Sequence, residues 1–299
     1  MVRTVMVEQL NTLGCRVQER EPLSAHTTFH IGGAATLFVT AETAEQVAAV
    51  RRLCRDEEAA LLVIGNGSNL LVSDEGFDGV VLRLAPRETA INGCTVRAAA
   101  GTSLTKLCND VCDAGLSGLE FAFGIPGTVG GAVFMNAGAY GGQLSDVLVR
   151  VTAITPTGAV VTFSADEMAL GYRHSVFMEN GCTVLEAEFE LKPGEPSAIR
   201  AAMSDYIMRR RDKQPLEYPS AGSFFKRPEG HFAGALIEQC GLKGFTVGGA
   251  AVSEKHAGFV INLGGATCAD VLALGDEVSR IVKERFGVEL EREVQLVGG

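Results

Sequence analysis

A chain of 299 residues with 46% hydrophobic and 21% charged residues has material for two or three modest cores and is not a disordered protein. Its formal net charge of −10 excludes nucleic acid as the main partner, since binding a phosphate backbone needs a basic face. An anionic small molecule in a local basic pocket stays open.

Glycine is the outlier in composition, at 36 residues where about 7% of a chain is usual. Such an excess marks tight turns or backbone pressed close to a ligand. The opening MVRTVMVEQL carries no export signal. The most apolar stretch, 121–139, is broken by Pro126 and several glycines and predicts no membrane helix. Eight cysteines without a CxxC pair read as reduced apolar thiols of a cytoplasmic protein, with no metal site.

In chain order, Thr43 with Gln46 forms a capping-box pattern, and Val47, Val50 and Leu53 continue the apolar face of the helix it opens. LLVIG (61–65) predicts a short buried strand emptying into the loop GNGSN. TVRAAAG (95–101) predicts a second strand. The helix after it carries Leu104, Leu107, Cys108, Val111 and Cys112, with Gly115 placed to end it in a left-handed conformation. VLVRVTAI and AVVTFS flank the turn TPTG as a hairpin. TVLEAEFEL (183–191) alternates, with Leu185, Ala187, Phe189 and Leu191 on one face and acids on the other, the pattern of a half-exposed antiparallel strand.

KPGEP (192–196) reads as a linker into a helix from about Ser197 whose basic tail is RRRDKQP. Arg209, Arg210 and Arg211 there complement a helix C-terminus. The last third predicts a helix before Gly241, strands near 249–253 and 257–263, a long helix from Thr267 to Phe286 closed by Gly287, and a final strand VELEREVQLV. The expected domains are 1–85, 86–195 and 196–299.

Two glycine segments carry the chemistry. GNGSN (65–69) is either an ordinary turn or a nest of inward N–H groups for an anion, and it lacks the third glycine of a Rossmann fingerprint. GIPGTVGGAVFMNAGAYGG (124–142) is more specific. No lysine, arginine or histidine lies between Lys106 and Arg150, so a diphosphate bound here is met by backbone N–H groups and small hydroxyls, with glycine leaving room for it. Two such segments, each after a strand–helix unit, suggest one extended dinucleotide.

GNGSNLLVSD, GIPGTVGGAVFMNAGAYG and TTFHIGG (27–33) resemble the FAD-binding segments of UDP-N-acetylenolpyruvoylglucosamine reductases. GYRHSVF (171–177), AGSFFKRPEG (221–230), GGAAVSEKHAGFVIN (248–262) and LEREV (290–294) extend the resemblance in order over nearly the whole chain. The passage from the strand at 183–191 straight to the helix at 197 is similar to the shorter form of that family.

The resemblance implies an α+β chain: a two-subdomain FAD-binding fold of the p-cresol methylhydroxylase and vanillyl-alcohol oxidase type, followed by a smaller substrate-binding domain. It implies non-covalent FAD held by Gly65, Asn66, Gly67, Ser68, Asn69, Gly124, Ile125, Pro126, Gly127, Thr128, Gly130, Gly131, Asn136, Ala137 and Gly138, with His26 and His30 as structural or loop residues. It implies NADPH as hydride donor and UDP-N-acetylglucosamine enolpyruvate as substrate, without membrane, nucleic-acid or obligate protein partner. By the same resemblance Arg173 binds the substrate carboxylate, Ser223 donates a proton, and Glu293, with a raised pKa, polarises the enolate.

Tyr172, Lys213, Arg227 and His256 fall at substrate-binding positions. Arg227 and Gln295 depart from the family pattern, which often has asparagine and arginine there. Two other readings remain at this point: a flavoprotein of the same fold acting on another small substrate, and a non-enzymatic nucleotide-sugar binding module. The first has no need of Ser223 and Glu293, and the second no need of the FAD segments.

Overall fold

The computed structural model describes residues 2–298. Packing divides the chain into two compact units, Met1–Glu19 with Thr36–Asn66 and Gly79–Met208, and Arg20–Ala35 with Gly67–Asp78 and Arg209–Gly299.

The first unit is built on two sheets. One runs in the order Arg16–Pro22, Ala34–Ala41, Phe77–Leu84, Leu61–Ile64. The helix Ala44–Asp56 belongs with it. Its capping box is formed, with the Thr43 side chain accepting from Gln46 N–H and the Gln46 side chain accepting from Thr43 N–H. That helix buries Val47, Val50 and Cys54 in a core shared with Leu37, Val39, Val80 and Leu82. The strand Leu61–Ile64 departs from its expected burial. It lies at the sheet edge, pairing only with Phe77–Leu84, and among its four residues only Ile64 is buried. An apolar run reports hydrophobicity and not strand position, so this difference was invisible in the composition of the segment.

The other sheet is antiparallel, in the order Val160–Ser164, Leu148–Ile154, Thr183–Glu190, Thr95–Ala99, Ala90–Asn92. The helix Leu104–Asp113 covers it, capped by Ser103 and followed by Gly115 at φ +69°, and a second core gathers Leu104, Leu107, Ala187 and Phe189. Thr183–Glu190 is a central strand, and its acids are not all solvated as the alternation predicts. Glu188 is 8% exposed, clamped from the flanking strands by Arg97 Nε at 2.6 Å and Arg150 Nη1 at 3.1 Å. A buried carboxylate persists where cations neutralise it. The KPGEP segment is itself paired: Lys192–Pro193 bonds to Leu116–Ser117, and Gly194 N–H donates to Gly115 O at 2.8 Å.

The second unit has a four-stranded antiparallel sheet in the order Ser220–Ser223, Phe259–Asn262, Ala250–Val252, Thr246–Val247. The helix Cys268–Phe286 packs Val271, Leu274, Val278 and Val282 inward, with the Thr267–Asp270 capping box and Gly287 at φ +69° as its two ends. Gly275 on this helix faces the Phe224 ring so closely that a Cβ would meet its Cε1 at 2.5 Å.

The expected final strand is shorter than VELEREVQLV. Only Gln295–Val297 is a strand, parallel to Leu70–Val72. Residues 291–293 pair elsewhere, on 224–226, with a bend at Val294 between the two pairings. Leu296 is therefore 50% exposed while Leu290, Val294 and Val297 are buried, which a single uninterrupted strand would not give.

Candidate active site

In the first unit the long glycine-rich segment is held mostly by its own neighbours. Thr128 caps the short helix Val129–Phe134, its hydroxyl accepting from Gly131 N–H at 3.4 Å. The amides of Val129, Gly130 and Ala132 donate to the carbonyls of Thr102, Ala100 and Thr128 at 2.8, 2.9 and 2.8 Å. The GNGSN loop meets this segment directly. A Cβ on Gly65 would fall 2.2 Å from Thr128 Oγ1, and Asn66 Nδ2 donates to Pro126 O at 3.3 Å.

This changes the reason for several glycines. In 124–142 the expected occupant of the missing Cβ space is a phosphate. At Gly130 and Gly138 that space is instead occupied by the Ala100 methyl at 2.9 Å and by Gly142 O at 2.7 Å, and at Gly65 of the first loop by Thr128. Gly67 is fixed twice, by φ +59° and by the carbonyl of His26, 2.3 Å from where a Cβ would stand.

The amides of Asn66, Gly67 and Ser68 have no protein acceptor among the described residues. Consecutive free amides around a left-handed residue make an anion-binding nest, so the residues present fit a backbone-held diphosphate. Of the histidines in the TTFHIGG region, His26 ends a short 3-10 helix, Leu23–His26, and is bonded to Glu21 Oε1 at 2.8 Å, while His30 is an exposed loop residue at φ +55°.

Three hydrogen bonds join the same segment to the turn that carries Arg173. Asn136, 1% exposed, donates from Nδ2 to Gly171 O at 2.9 Å and accepts from Ser145 N–H at 3.0 Å. Arg173 Nη2 donates to Gly138 O at 3.2 Å. Ser175 Oγ donates to Phe134 O at 2.7 Å. The Asn136 side chain is thus spent on bracing the loop. Arg173 itself is left-handed at φ +53°, with its guanidinium carbon 5.1 Å from the centre of the exposed Tyr172 ring.

In the second unit Ser223 ends a strand whose pairing shifts register between Ser220 and Ser223, with Gly222 at φ +79° in the break. Such a bulge re-aims the following side chain. Ser223 is exposed, while Phe224 and Phe225 are both buried and meet edge-to-face, their centroids 5.0 Å apart.

Glu293 N–H donates to Phe224 O at 2.9 Å, Phe225 bridges Arg292, and Lys226 N–H donates to Glu291 O at 2.8 Å. A Lys226–Glu291 ion pair closes the far end. Asn69 completes the frame: its Nδ2 donates to Glu293 O at 3.1 Å and its carbonyl accepts from Gln295 N–H at 2.9 Å. Residues expected to act on one substrate, Ser223 and Glu293, thus sit on neighbouring backbone segments.

His256 is half-buried, and burial, helped by Lys243, pushes its pKa down. Gly258 N–H donates to its Nδ1 at 3.1 Å. That assigns the proton of the neutral ring to Nε2, making it an uncharged donor. Arg227 is exposed, with its guanidinium 4.5 Å from the Phe232 centroid. Lys213 is the exposed last residue of the helix Pro196–Lys213.

Sequence reasoning missed the bracing roles of Asn69, Gly171, Ser175 and the Lys226–Glu291 pair. Only the order of the motifs signalled them, since their partners lie tens to hundreds of residues away.

Residues 214–297 match the family model described as UDP-N-acetylenolpyruvoylglucosamine reductase, C-terminal domain, and residues 35–164 match the FAD binding domain. The chain is 49% identical over 289 residues to a UDP-N-acetylenolpyruvoylglucosamine reductase of Lachnoclostridium phytofermentans, covering 95% of this chain and 93% of that one. It is 49% identical over 285 residues to the protein of that name from Syntrophomonas wolfei, with 95% of each covered.

The crystal structure of the Thermus caldophilus reductase superposes with a TM-score of 0.82 at 39% identity, over 95% of this chain and 100% of that one. A Physcomitrella patens protein titled BBE-like 1 shares the fold alone, with a TM-score of 0.51 at 14% identity over 92% of this chain and 59% of its own. The fold is the FAD-binding fold of the p-cresol methylhydroxylase and vanillyl-alcohol oxidase type, and the chain belongs to the UDP-N-acetylenolpyruvoylglucosamine reductase family.

Proposed function

We propose that this chain reduces UDP-N-acetylglucosamine enolpyruvate to UDP-N-acetylmuramate with NADPH, through non-covalent FAD, as a cytoplasmic step of peptidoglycan precursor synthesis. The observation that carries the reading is the backbone pairing of 224–226 with 291–293, which sets Glu293 beside the segment of Ser223. Among the described residues no helix is long and apolar enough to cross a membrane. Residues 1–85 and 86–195 act as FAD-binding subdomains and 196–299 as the substrate-binding domain; the separate cores around Val47 and Leu107 support the first division.

Bound FAD would supply the hydride chemistry, linking NADPH to the terminal methylene carbon of the enolpyruvyl ether. The residues Gly65–Asn69, Gly124–Thr128, Gly130, Gly131 and Asn136–Gly138 would hold it, with the free amides of 66–68 as donors suited to its diphosphate. Negative charge builds on the adjacent carbon and its carboxylate as the methylene becomes a methyl. Arg173, planar and permanently charged, pairs with that carboxylate. Glu293 hydrogen-bonds to the developing enolate. Ser223 gives its hydroxyl proton to the charged carbon, completing addition across the double bond, and recovers a proton from solvent. Lys213 and Arg227 offer charge to the UDP diphosphate, His256 offers a neutral Nε2–H, and Tyr172 lines the carboxylate arginine.

The test is a visible spectrum under anaerobic conditions. NADPH bleaches the flavin and UDP-N-acetylglucosamine enolpyruvate restores the colour. Ser223→Ala leaves the bleaching rate unchanged and slows only the recovery. Equal slowing of both half-reactions would count against the proton-donor role, and no recovery in the wild type would remove the substrate assignment.

A further inference from the structure

Tyr140 stands at the tip of a two-residue-per-strand hairpin, Gly138–Ala139 against Gly142–Gln143. Its backbone is left-handed, φ +53°, and Gly141 beside it is at φ +88°. A bulky residue in this region is strained and persists only where its surroundings over-determine it. Tyr140 has such a surrounding. Its ring lies flat on Tyr206, centroids 4.6 Å apart and planes inclined by 6°. Tyr206 projects from the helix Pro196–Lys213, a rigid support far away in sequence.

The base of the hairpin is fixed as well: a Cβ on Gly142 would meet the Phe121 ring at 2.7 Å. The hairpin is thus gripped at its base by packing, and an aromatic stack holds its tip. The hairpin also begins at Gly138, whose carbonyl accepts from Arg173 Nη2. Arg173 too is left-handed, so its side-chain direction depends on what holds the turn and its acceptor.

We infer that Tyr206, through its stack on Tyr140, is a positioning residue that fixes the Gly138 carbonyl and hence the aim of the Arg173 guanidinium. This rests on the proposed role of Arg173 with the substrate carboxylate. The stack touches the reacting atoms at no point. Its effect falls chiefly on the half-reaction that needs Arg173, because hydride transfer from NADPH involves no substrate carboxylate. Misplacing a binding group by an ångström can cost about 100-fold in rate, and loosening one end of a hairpin gives part of that.

Stopped-flow absorbance of the FAD-loaded enzyme separates the two half-reactions. Tyr206→Ala slows flavin reoxidation by UDP-N-acetylglucosamine enolpyruvate, and raises the substrate concentration for half-saturation, by about tenfold or more. Flavin reduction by NADPH stays within about twofold of wild type. Tyr206→Phe, which keeps the ring, restores both. Tyr140→Gly removes the ring and its backbone strain together, so it folds at least as readily and shows the same selective defect. The double variant is no worse than the worse single one, since both substitutions break one contact.

Variants that match wild type in both half-reactions would overturn the inference. So would a loss shared equally by both half-reactions and not restored by phenylalanine, which is what a purely structural role gives. If wild-type flavin is bleached by NADPH but never reoxidised by this substrate, the functional reading fails and the clamp fails with it. Reoxidation of wild type with no defect in the variants refutes the clamp alone.

Discussion

Gly65→Ala tests whether the glycine of the first loop serves the protein or the cofactor. The new methyl would sit 2.2 Å from Thr128 Oγ1 and 3.3 Å from Thr128 Cβ and Cγ2. Relief needs roughly 1 Å of movement in close-packed loops, an overpacking cost of about 1–3 kcal/mol. Pushing the Thr128 hydroxyl aside also breaks the cap on Gly131, worth about 1 kcal/mol. The single substitution is therefore expected to destabilise by about 2–4 kcal/mol, or roughly 4–16 °C in Tm at about 2–4 °C per kcal/mol.

Thr128→Ala alone costs only the cap, about 1 kcal/mol. In the double variant the clashing oxygen is gone and the remaining contact is tolerable, so its loss is close to that of Thr128→Ala alone. The coupling between the two sites is then about 2–4 kcal/mol in the compensating direction. Thermal unfolding of the FAD-stripped wild type and the three variants measures it, and FAD titration of each follows. Simple additivity would refute the packing argument. Normal stability with lost FAD affinity in Gly65→Ala would return the glycine to the cofactor.

Two further outcomes follow from the second unit. Asn69→Ala removes the donor to Glu293 O and is expected to cost about 1 kcal/mol. It slows flavin reoxidation more than flavin reduction, read by the same stopped-flow traces. For His256 the folded pKa lies below the ordinary value because burial disfavours the cation, near 6.5 when unfolded. The stability linked to the neutral ring is complete above about pH 6.5 and drains away as pH falls through the folded pKa. Tm measured from pH 8 to 5 should therefore fall less steeply in His256→Gln than in wild type, and parallel curves would exclude this group as the cause.

Much was legible in the sequence because it depends on neighbours along the chain. The capping boxes at Thr43 and Thr267, the left-handed ends at Gly115 and Gly287, and the hairpin around TPTG formed as read, since caps and turns are set by a few adjacent residues. The motifs also named the family, because their order along the chain is itself sequence information.

Residues far apart in sequence were decided only by tertiary structure. LLVIG became an edge strand, Glu188 a buried acid between two arginines, and VELEREVQLV two short pairings split at Val294. Local pattern gives a residue's polarity but not which strands flank it. The site follows the same division. Ser223, Glu293 and Arg173 could be singled out one by one, whereas the Asn69 hold on Glu293, the Gly138 acceptor of Arg173 and the Tyr140–Tyr206 stack exist only once distant segments meet. Aim and spacing are properties of those meetings, because a side chain's direction is fixed by the backbone and contacts that surround it, and most of those come from elsewhere in the chain.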